Sequence, residues 1–291
     1  MLPFPDIDPV LIQIGPFAIR WYALAYIVGL LGAWWYMVRL LRMNRLWSGA
    51  PFNGAPQATA DHIGDLFVWA AVGVIIGGRV GYVLFYGLVY ETERFIGEPW
   101  RILAAWEGGM SFHGGALGVV AAVILFARRN KLDMVALGDL VAVAAPIGLF
   151  FGRIANFING ELYGKITDVP WAFQFPAAAI RAPDGTVLSN PARHPSQLYE
   201  AALEGLVLFL ILHLMVSRFG ALRRPGLVIA VFWAGYALFR ILVEVLFRDS
   251  GQLVFGGLLT MGTLLSLFML GVSAFFAWYA LYRRGPALLT P

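Results

Sequence analysis

Cysteine is absent from the 291 residues. That excludes a structural disulfide, a cysteine-based zinc or iron–sulfur site, and a cysteine nucleophile supplied by the chain itself. Charge is scarce as well: Asp, Glu, Lys and Arg make up 13% of the chain against 60% hydrophobic residues. The mean hydropathy of +0.74 is too high for a water-soluble protein of this length. The only histidines are His62, His113, His194 and His213, far apart and without a metal-ligand spacing, so no metal site is expected. No internal repeat or low-complexity tract stands out, which weighs against the repeat-built transporter folds. Residues 1–16 carry prolines and two aspartates but no basic n-region or cleavage motif, so no removed signal peptide is expected.

What is present is a series of apolar runs. Seven read as spans, at about 18–38, 62–89, 110–127, 134–156, 197–217, 226–247 and 256–282. Each is long enough to cross roughly 30 Å of hydrocarbon as a helix. Arg39, Arg42 and Arg45 follow the first span; Arg128, Arg129 and Lys131 follow the third. Arg218, Arg223 and Arg224 follow the fifth, and Arg283 and Arg284 the seventh. Every second boundary is therefore basic, and these are the cytoplasmic ones by the positive-inside rule. The expectation is an all-α integral membrane protein with seven transmembrane helices, its N-terminus outside and its C-terminus cytoplasmic. It forms a single transmembrane domain over 1–291, with a small external head inserted at about 158–196. The formal charge of +4 comes largely from the basic anchors, so no nucleic-acid partner is expected.

Between the spans, residues 48–60 read as a cytoplasmic loop rich in Gly, Pro and Asn. The outer loop near 90–109 carries Glu91, Glu93, Glu98 and Glu107 and is expected to hold a short amphipathic helix. In the head, Trp171–Phe175 and Thr186–Leu188, with Pro183-Asp184-Gly185 between them, suggest minor β structure around a turn.

Polar groups inside the spans carry the functional signal. Tyr236, Arg240, Glu244 and Arg248 recur every four residues and line one helical face. Two readings are open: Arg240 and Glu244 neutralise each other and pin helices, or the face borders a cavity, the usual place for an intramembrane charge. An isolated charge there costs at least about 2.5 kcal/mol. Both lie within roughly 10 Å of the outer surface at about 1.5 Å per residue. Arg153 and Asn156, three apart at the outer end of span four, are either a ligand-facing pair or groups that satisfy a helix terminus. His113 begins span three and reads as structural or functional. Pro195 and Ser196 read as a helix start and cap for span five, followed by Gln197 and Glu200. Tyr26 lies deeper in span one. Gly114 with Gly118, and Gly73 with Gly77 and Gly81, are small-residue patterns that let helices approach. Arg79 beside them is ambiguous, with snorkelling to the interface one reading. Convergence decides among these: His113, Arg153, Asn156, Gln197, Glu200, Arg240 and Glu244 come from four spans and all fall in the outer half. Two arginines at one depth suit a phosphate-bearing ligand, and among membrane lipids that is a phospholipid headgroup.

The run Gly152-Arg153-Ile154-Ala155-Asn156-Phe157-Ile158-Asn159-Gly160-Glu161-Leu162-Tyr163-Gly164 resembles the signature of the prolipoprotein diacylglyceryl transferases. That signature is Gly-Arg-x-Gly/Ala-Asn-Phe-x-Asn-x-Glu-x-x-Gly, and every fixed position matches. Ser111-Phe112-His113-Gly114-Gly115, His194-Pro195-Ser196-Gln197-Leu198-Tyr199-Glu200, and Tyr236, Arg240 and Glu244 are similar to further family blocks in the same order. The resemblance spans nearly the whole chain. Ala116 departs from the leucine expected after the paired glycines, a matter of local packing.

The resemblance implies transfer of the diacylglyceryl group of phosphatidylglycerol to the thiol of the lipobox cysteine in a prelipoprotein signal peptide, releasing glycerol-1-phosphate. It also implies a multi-pass protein of the bacterial inner membrane, with a periplasmic head, its active site facing the outer leaflet, and no cofactor. The acceptor thiol belongs to the substrate, in keeping with the missing cysteine. A thiol must lose its proton to be a good nucleophile, and His113 is the base by type. Arg153 and Arg240 would bind the phosphate and stabilise its developing charge. Glu161 and Glu244 would orient the arginines or glycerol hydroxyls. Asn156, Tyr26 and Tyr236 would hydrogen-bond the headgroup, and Gly164 would permit a special backbone angle or close approach. Two rival classes are a polytopic transporter, whose polar groups should continue to both sides, and an intramembrane hydrolase. For the second, Ser111 and His113 are too close in sequence for a dyad and no G-x-S-x-G is present.

Overall fold

In hydrocarbon every backbone N–H and C=O must find its partner within the protein, which a helix achieves inside its own segment. The computed structural model describes residues 2–5, 7–15, 17–88, 91–249, 253, 254 and 257–282. Its long helices are α1 (Trp21–Leu41), α2 (Ala60–Tyr82), α3 (Phe112–Arg129), α4 (Met134–Ile158), α5 (Ser196–Phe219), α6 (Leu227–Leu246) and α7 (Met261–Tyr282). Six of these, all but α3, are long and apolar enough to cross a membrane. The 18-residue α3 occupies the remaining expected span. Leu30 and Leu31 on α1, Ile75 and Ile76 on α2, and Phe268 and Phe275 on α7 are exposed. Apolar side chains turned outward in this number suit lipid, not water. This is the helix set of a multi-pass membrane protein. Arg283 and Arg284 lie outside the described residues.

The chain divides into two compact units, one from 1–36 with 139–291 and the other Met37–Gly138. In the second, α2 and α3 pack through their glycines. A Cβ on Gly81 would fall 2.7 Å from Gly114 Cα, and one on Gly77 would fall 2.8 Å from Gly118 Cα. The two small-residue patterns are thus halves of one seam. Thr59 and His62 close a capping box at the start of α2, the hydroxyl accepting from His62 N and the imidazole from Thr59 N, both at 3.2 Å. Arg79 does not snorkel. It is 7% exposed and donates to the carbonyls of Gly108 at 2.7 Å, Ile102 at 3.0 Å and Gly109 at 3.2 Å, and to that of Arg101. It therefore holds the loop before α3, where Thr92–Gly97 is helical and Pro99–Ile102 and Ala105–Glu107 form tight 3-10 turns.

In the first unit, α1 crosses α4 at a glycine contact, a Cβ on Gly29 lying 3.1 Å from Gly148 Cα. The start of α6 is held by a residue far away in sequence. Asp139, fully buried on α4, accepts from Gly226 N at 2.8 Å and Ile229 N at 2.9 Å, satisfying orphan donors of that helix. Ser273 ties α7 to α6 through the Ala230 carbonyl at 2.8 Å. Within α5 the segment Ala201–Val207 is a π-helix.

The β structure differs from the expected pairing. β1 (Leu2–Pro3) pairs in parallel with β4 (Phe173–Gln174), and β2 (Val10–Ile14) forms a hairpin with β3 (Phe17–Arg20). β5 (Ile180–Arg181) pairs with β6 (Val187–Ser189), so Thr186–Leu188 turns back on 180–181 and not on Trp171–Phe175. Local chemistry explains that choice. Asp184 accepts from Thr186 N at 2.9 Å, Gly185 takes φ +88°, and these bonds close the turn at once. They also hold the Asp184 carboxyl below the usual carboxylate range. Phe4 brings β1 to β4 by packing on Phe157 and Phe175 at 5.4 and 5.1 Å between ring centres.

Candidate active site

The signature run is where α4 ends. Gly160 takes φ +65°, a left-handed conformation that stops the helix, and Leu162 follows at φ +58°. This sharp reversal folds Glu161 back onto the helix it has just left. Asn156 Nδ2 donates to Glu161 Oε1 at 2.7 Å and to the Tyr22 hydroxyl at 3.2 Å. Tyr22 in turn packs on Tyr26, 5.1 Å between ring centres, and Tyr26 remains 54% exposed. The Glu161 carbonyl accepts from Gln197 Nε2, and the Leu162 carbonyl from Ser196 Oγ at 2.8 Å. Ser196 is therefore not the cap of α5. It is the first helical residue, and its hydroxyl is spent on the signature loop.

Beneath this loop lies a buried charge cluster. Arg153 comes from α4, Glu200 and Glu204 from α5, and Arg240 and Glu244 from α6, with Arg248 just past its end. Glu200 is fully buried: Oε2 meets Arg153 Nε at 3.2 Å, and Oε1 meets Arg248 Nη1 at 2.6 Å and Arg240 Nη1. Arg153 Nη2 also reaches Glu204 Oε2 at 3.1 Å, and Arg240 Nη2 reaches Glu244 Oε2 at 2.9 Å. Arg248 Nε stands 3.8 Å from Glu244 Oε2. Three guanidinium groups thus share three carboxylates. The three arginine side chains retain 14–16% exposure while Glu200 and Glu204 have none, so most of what is accessible in the cluster belongs to the arginine side chains. Tyr236, one turn before Arg240, lies within electrostatic reach of Arg153, Glu200 and Glu204.

Gly164 joins the loop to the end of α6. Its N–H donates to the His194 carbonyl at 2.8 Å, and it bridges Arg248 as an isolated β pair. A Cβ here would sit 2.8 Å from His194 Cβ and collide with the Phe247 carbonyl. Close approach is what requires glycine. Lys165 continues the seam, its N–H to the Phe247 carbonyl at 2.7 Å and its Nζ to the Val245 carbonyl at 2.6 Å. Arg193 donates to the Gly164 carbonyl at 3.1 Å and to Asp249 at 2.6 Å. His194 and the Tyr199 hydroxyl are 3.2 Å apart, and Trp171 donates to that hydroxyl at 2.7 Å. Burial, then the nearby Lys165 charge, lower the His194 imidazole below its usual range. A cavity of about 460 Å³ opens beside the loop, lined by Gly160, Glu161, Leu162, Tyr163, Ala177 and Asp249.

Tyr26, Arg153, Asn156, Glu161, Gly164, Tyr236, Arg240 and Glu244 all belong to the first unit, and the contacts above link them into adjoining networks. Glu161 engages Asn156 through its carboxylate, and Glu244 engages Arg240 and Arg248. His113 belongs to the second unit, exposed in the first turn of α3, where Ser111 caps the helix by accepting from Gly114 N at 3.2 Å. Of the cluster, Glu200 and Arg248 were noted among the polar residues of their helices but given no role, and Glu204 was not singled out at all. The four-residue spacings of Glu200 with Glu204 and of Glu244 with Arg248 were the available signal. Among the described residues no group of three or more His, Asp or Glu could hold a metal ion.

The family model described as prolipoprotein diacylglyceryl transferase matches residues 9–279. A phosphatidylglycerol–prolipoprotein diacylglyceryl transferase of Allorhizobium ampelinum is 51% identical over 96% of this chain and 92% of its own length. The proteins of that name in Phenylobacterium zucineum and Rhodospirillum rubrum are each 50% identical over all of this chain, covering 98% and 97% of their own. With the match covering most of the chain and relatives at half identity over nearly its whole length, the chain belongs to the prolipoprotein diacylglyceryl transferase family.

Proposed function

We propose that the protein transfers the diacylglyceryl group of phosphatidylglycerol to the lipobox cysteine thiol of prelipoprotein signal peptides, releasing glycerol-1-phosphate. The observation that carries this is the meeting of Arg153, from the signature run, and Arg240 on one buried carboxylate, Glu200. A cationic face held in a low-dielectric site is what a leaving phosphate needs as its C–O bond breaks. Arg153 and Arg240 bind that phosphate and stabilise its charge, with Glu244 orienting Arg240. Asn156, held by Glu161, joins Tyr26 and Tyr236 in hydrogen-bonding the headgroup, and Gly164 lets the loop approach α6. His113 takes the thiol proton. The reaction uses no cofactor.

The same reading makes 1–291 a single catalytic domain of seven spans in the bacterial inner membrane. Its N-terminus and head are periplasmic, its C-terminus is cytoplasmic, and its site faces the outer leaflet. The test is direct. Purified protein is incubated with phosphatidylglycerol and a lipobox peptide, and the peptide is weighed for a diacylglyceryl thioether. No adduct with an accessible cysteine would end the proposal. Arg153→Ala and Arg240→Ala should each lower turnover about 10²- to 10³-fold, the usual effect of removing one charge-stabilising donor. Retained turnover in both would remove the phosphate-binding role. For His113→Gln, near-full turnover across pH 6–9 would remove the base role.

A further inference from the structure

The buried cluster is charge-balanced before any substrate arrives. Arg153, Arg240 and Arg248 face Glu200, Glu204 and Glu244, three charges against three. An arriving phosphodiester adds a fourth negative charge, and in a low-dielectric site an uncompensated charge is strongly disfavoured. Conversion to a phosphomonoester adds yet another. One carboxylate oxygen of the cluster stands ready to answer this. Glu204 is fully buried, and its Oε2 takes both contacts from Arg153, at 3.1 and 3.4 Å, whereas its Oε1 has no hydrogen-bond partner among the described residues. Glu204 also lies in the π-helical segment Ala201–Val207, a backbone form that concentrates at functional sites. The charged and titratable groups facing it are Arg153 from α4, Glu200 from its own helix, and Arg240 and Tyr236 from α6.

From this geometry we infer that Glu204 takes up one proton on Oε1 as the phospholipid anion binds and delivers it to the departing glycerol phosphate. The inference rests on the transfer proposed above. Sulfur bonds to the terminal carbon of the diacylglyceryl group as the C–O bond to the phosphate breaks, and the electron pair stays on the phosphate oxygen. Oε1–H protonates that phosphate. The thiol's own proton, released to the base, restores the count. Thiol and phosphodiester monoanion become thioether and phosphomonoester monoanion, with no other reactant.

The test measures binding and turnover separately in Glu204→Gln, which mimics the protonated side chain but cannot release a proton. Affinity for phosphatidylglycerol in nonionic mixed micelles is followed from pH 5.5 to 9, with phosphatidylcholine as the control. Uptake of one proton makes wild-type affinity fall about tenfold per pH unit on the alkaline side. Glu204→Gln should bind at the wild type's low-pH affinity at every pH, while its kcat falls about 10²-fold or more without a rise in KM. A purely structural Glu204 would instead weaken binding. Flat wild-type binding, kcat within threefold in Glu204→Gln, or a tenfold loss of its affinity would each overturn the inference. Should that variant fail to fold, Glu204→Asp must keep the alkaline slope, and its loss would count against the proposal. A wild-type protein that shows the slope but forms no thioether would refute the transfer and leave proton uptake standing.

Discussion

Neutralising Glu200 without changing its size tests whether the cluster is held as one object. One of its oxygens receives Arg240 and Arg248, the other Arg153, and the side chain has no exposure. In Glu200→Gln one oxygen can still accept, but the amide turns two donors toward guanidiniums that offer only donors. Three cations then face two carboxylates. Breaking a buried ion pair from one side costs about 3–5 kcal/mol, because the remaining charge has no compensation. That is roughly 10²- to 10⁴-fold in the ratio of folded to unfolded protein. Reversible unfolding in mixed micelles reads the loss, and thioether formation reads its effect on the site. Arg248→Gln added to Glu200→Gln restores the balance of charge and should recover at least half of the lost stability. A single-variant loss under about 0.5 kcal/mol, ordinary for a surface site, with transfer intact, would refute the reasoning.

The other expectations concern separate parts of the fold. Gly164→Ala drives a methyl against the Phe247 carbonyl and His194 Cβ; overpacking should cost about 1–3 kcal/mol and abolish transfer, and wild-type turnover would show that the close approach is dispensable. Asp139→Ala removes the acceptor for Gly226 N and Ile229 N. It should lose about 0.5–2 kcal/mol as a missing cap does, measured by unfolding, whereas an unchanged midpoint would deny the cap. The imidazole of His194 is lowered in the folded state by burial and then by Lys165. Its contribution to stability is complete above about pH 6.5, the unfolded value, and is lost as pH falls through the folded value. A melting midpoint that is flat from pH 8 to 5, or a decline equal in His194→Gln, would contradict that linkage.

Much of this architecture was legible because membrane helices write themselves in composition. The apolar runs located α1 and α3 to α6 to within three residues, because a helix satisfies its own backbone in lipid, whereas α2 ends at Tyr82 against an expected 89 and α7 begins at Met261 against an expected 256. The glycines at 73, 77 and 81 and at 114 and 118 announced a close contact, although not that the two sets face each other. The head was harder to read. Pairing of Leu2 with Phe173 joins residues 171 positions apart, and nothing in a two-residue strand names so distant a partner. Arg79 was ambiguous for a different reason. Its partners are backbone carbonyls, which every sequence contains, so no side chain betrays them. Glu204 was hidden by habit: a carboxylate one turn after Glu200 reads as ordinary helix until the geometry shows both turned toward Arg153.

The balanced cluster follows from where it must be built. Five isolated charges placed in membrane helices, with Arg248 just beyond, would cost about 2.5 kcal/mol each at least, together comparable to the whole stability of about 5–15 kcal/mol typical of a domain. Arg153, Arg240 and Arg248 are therefore tolerable only because Glu200, Glu204 and Glu244 come with them. The same pairing constrains the chemistry. An arginine already committed to a carboxylate attracts a phosphate less strongly than a free one, so attraction grows only when a carboxylate is neutralised or displaced. Phospholipid affinity should thus respond more steeply to loss of a glutamate charge than to salt, which screens exposed charges and barely reaches buried ones.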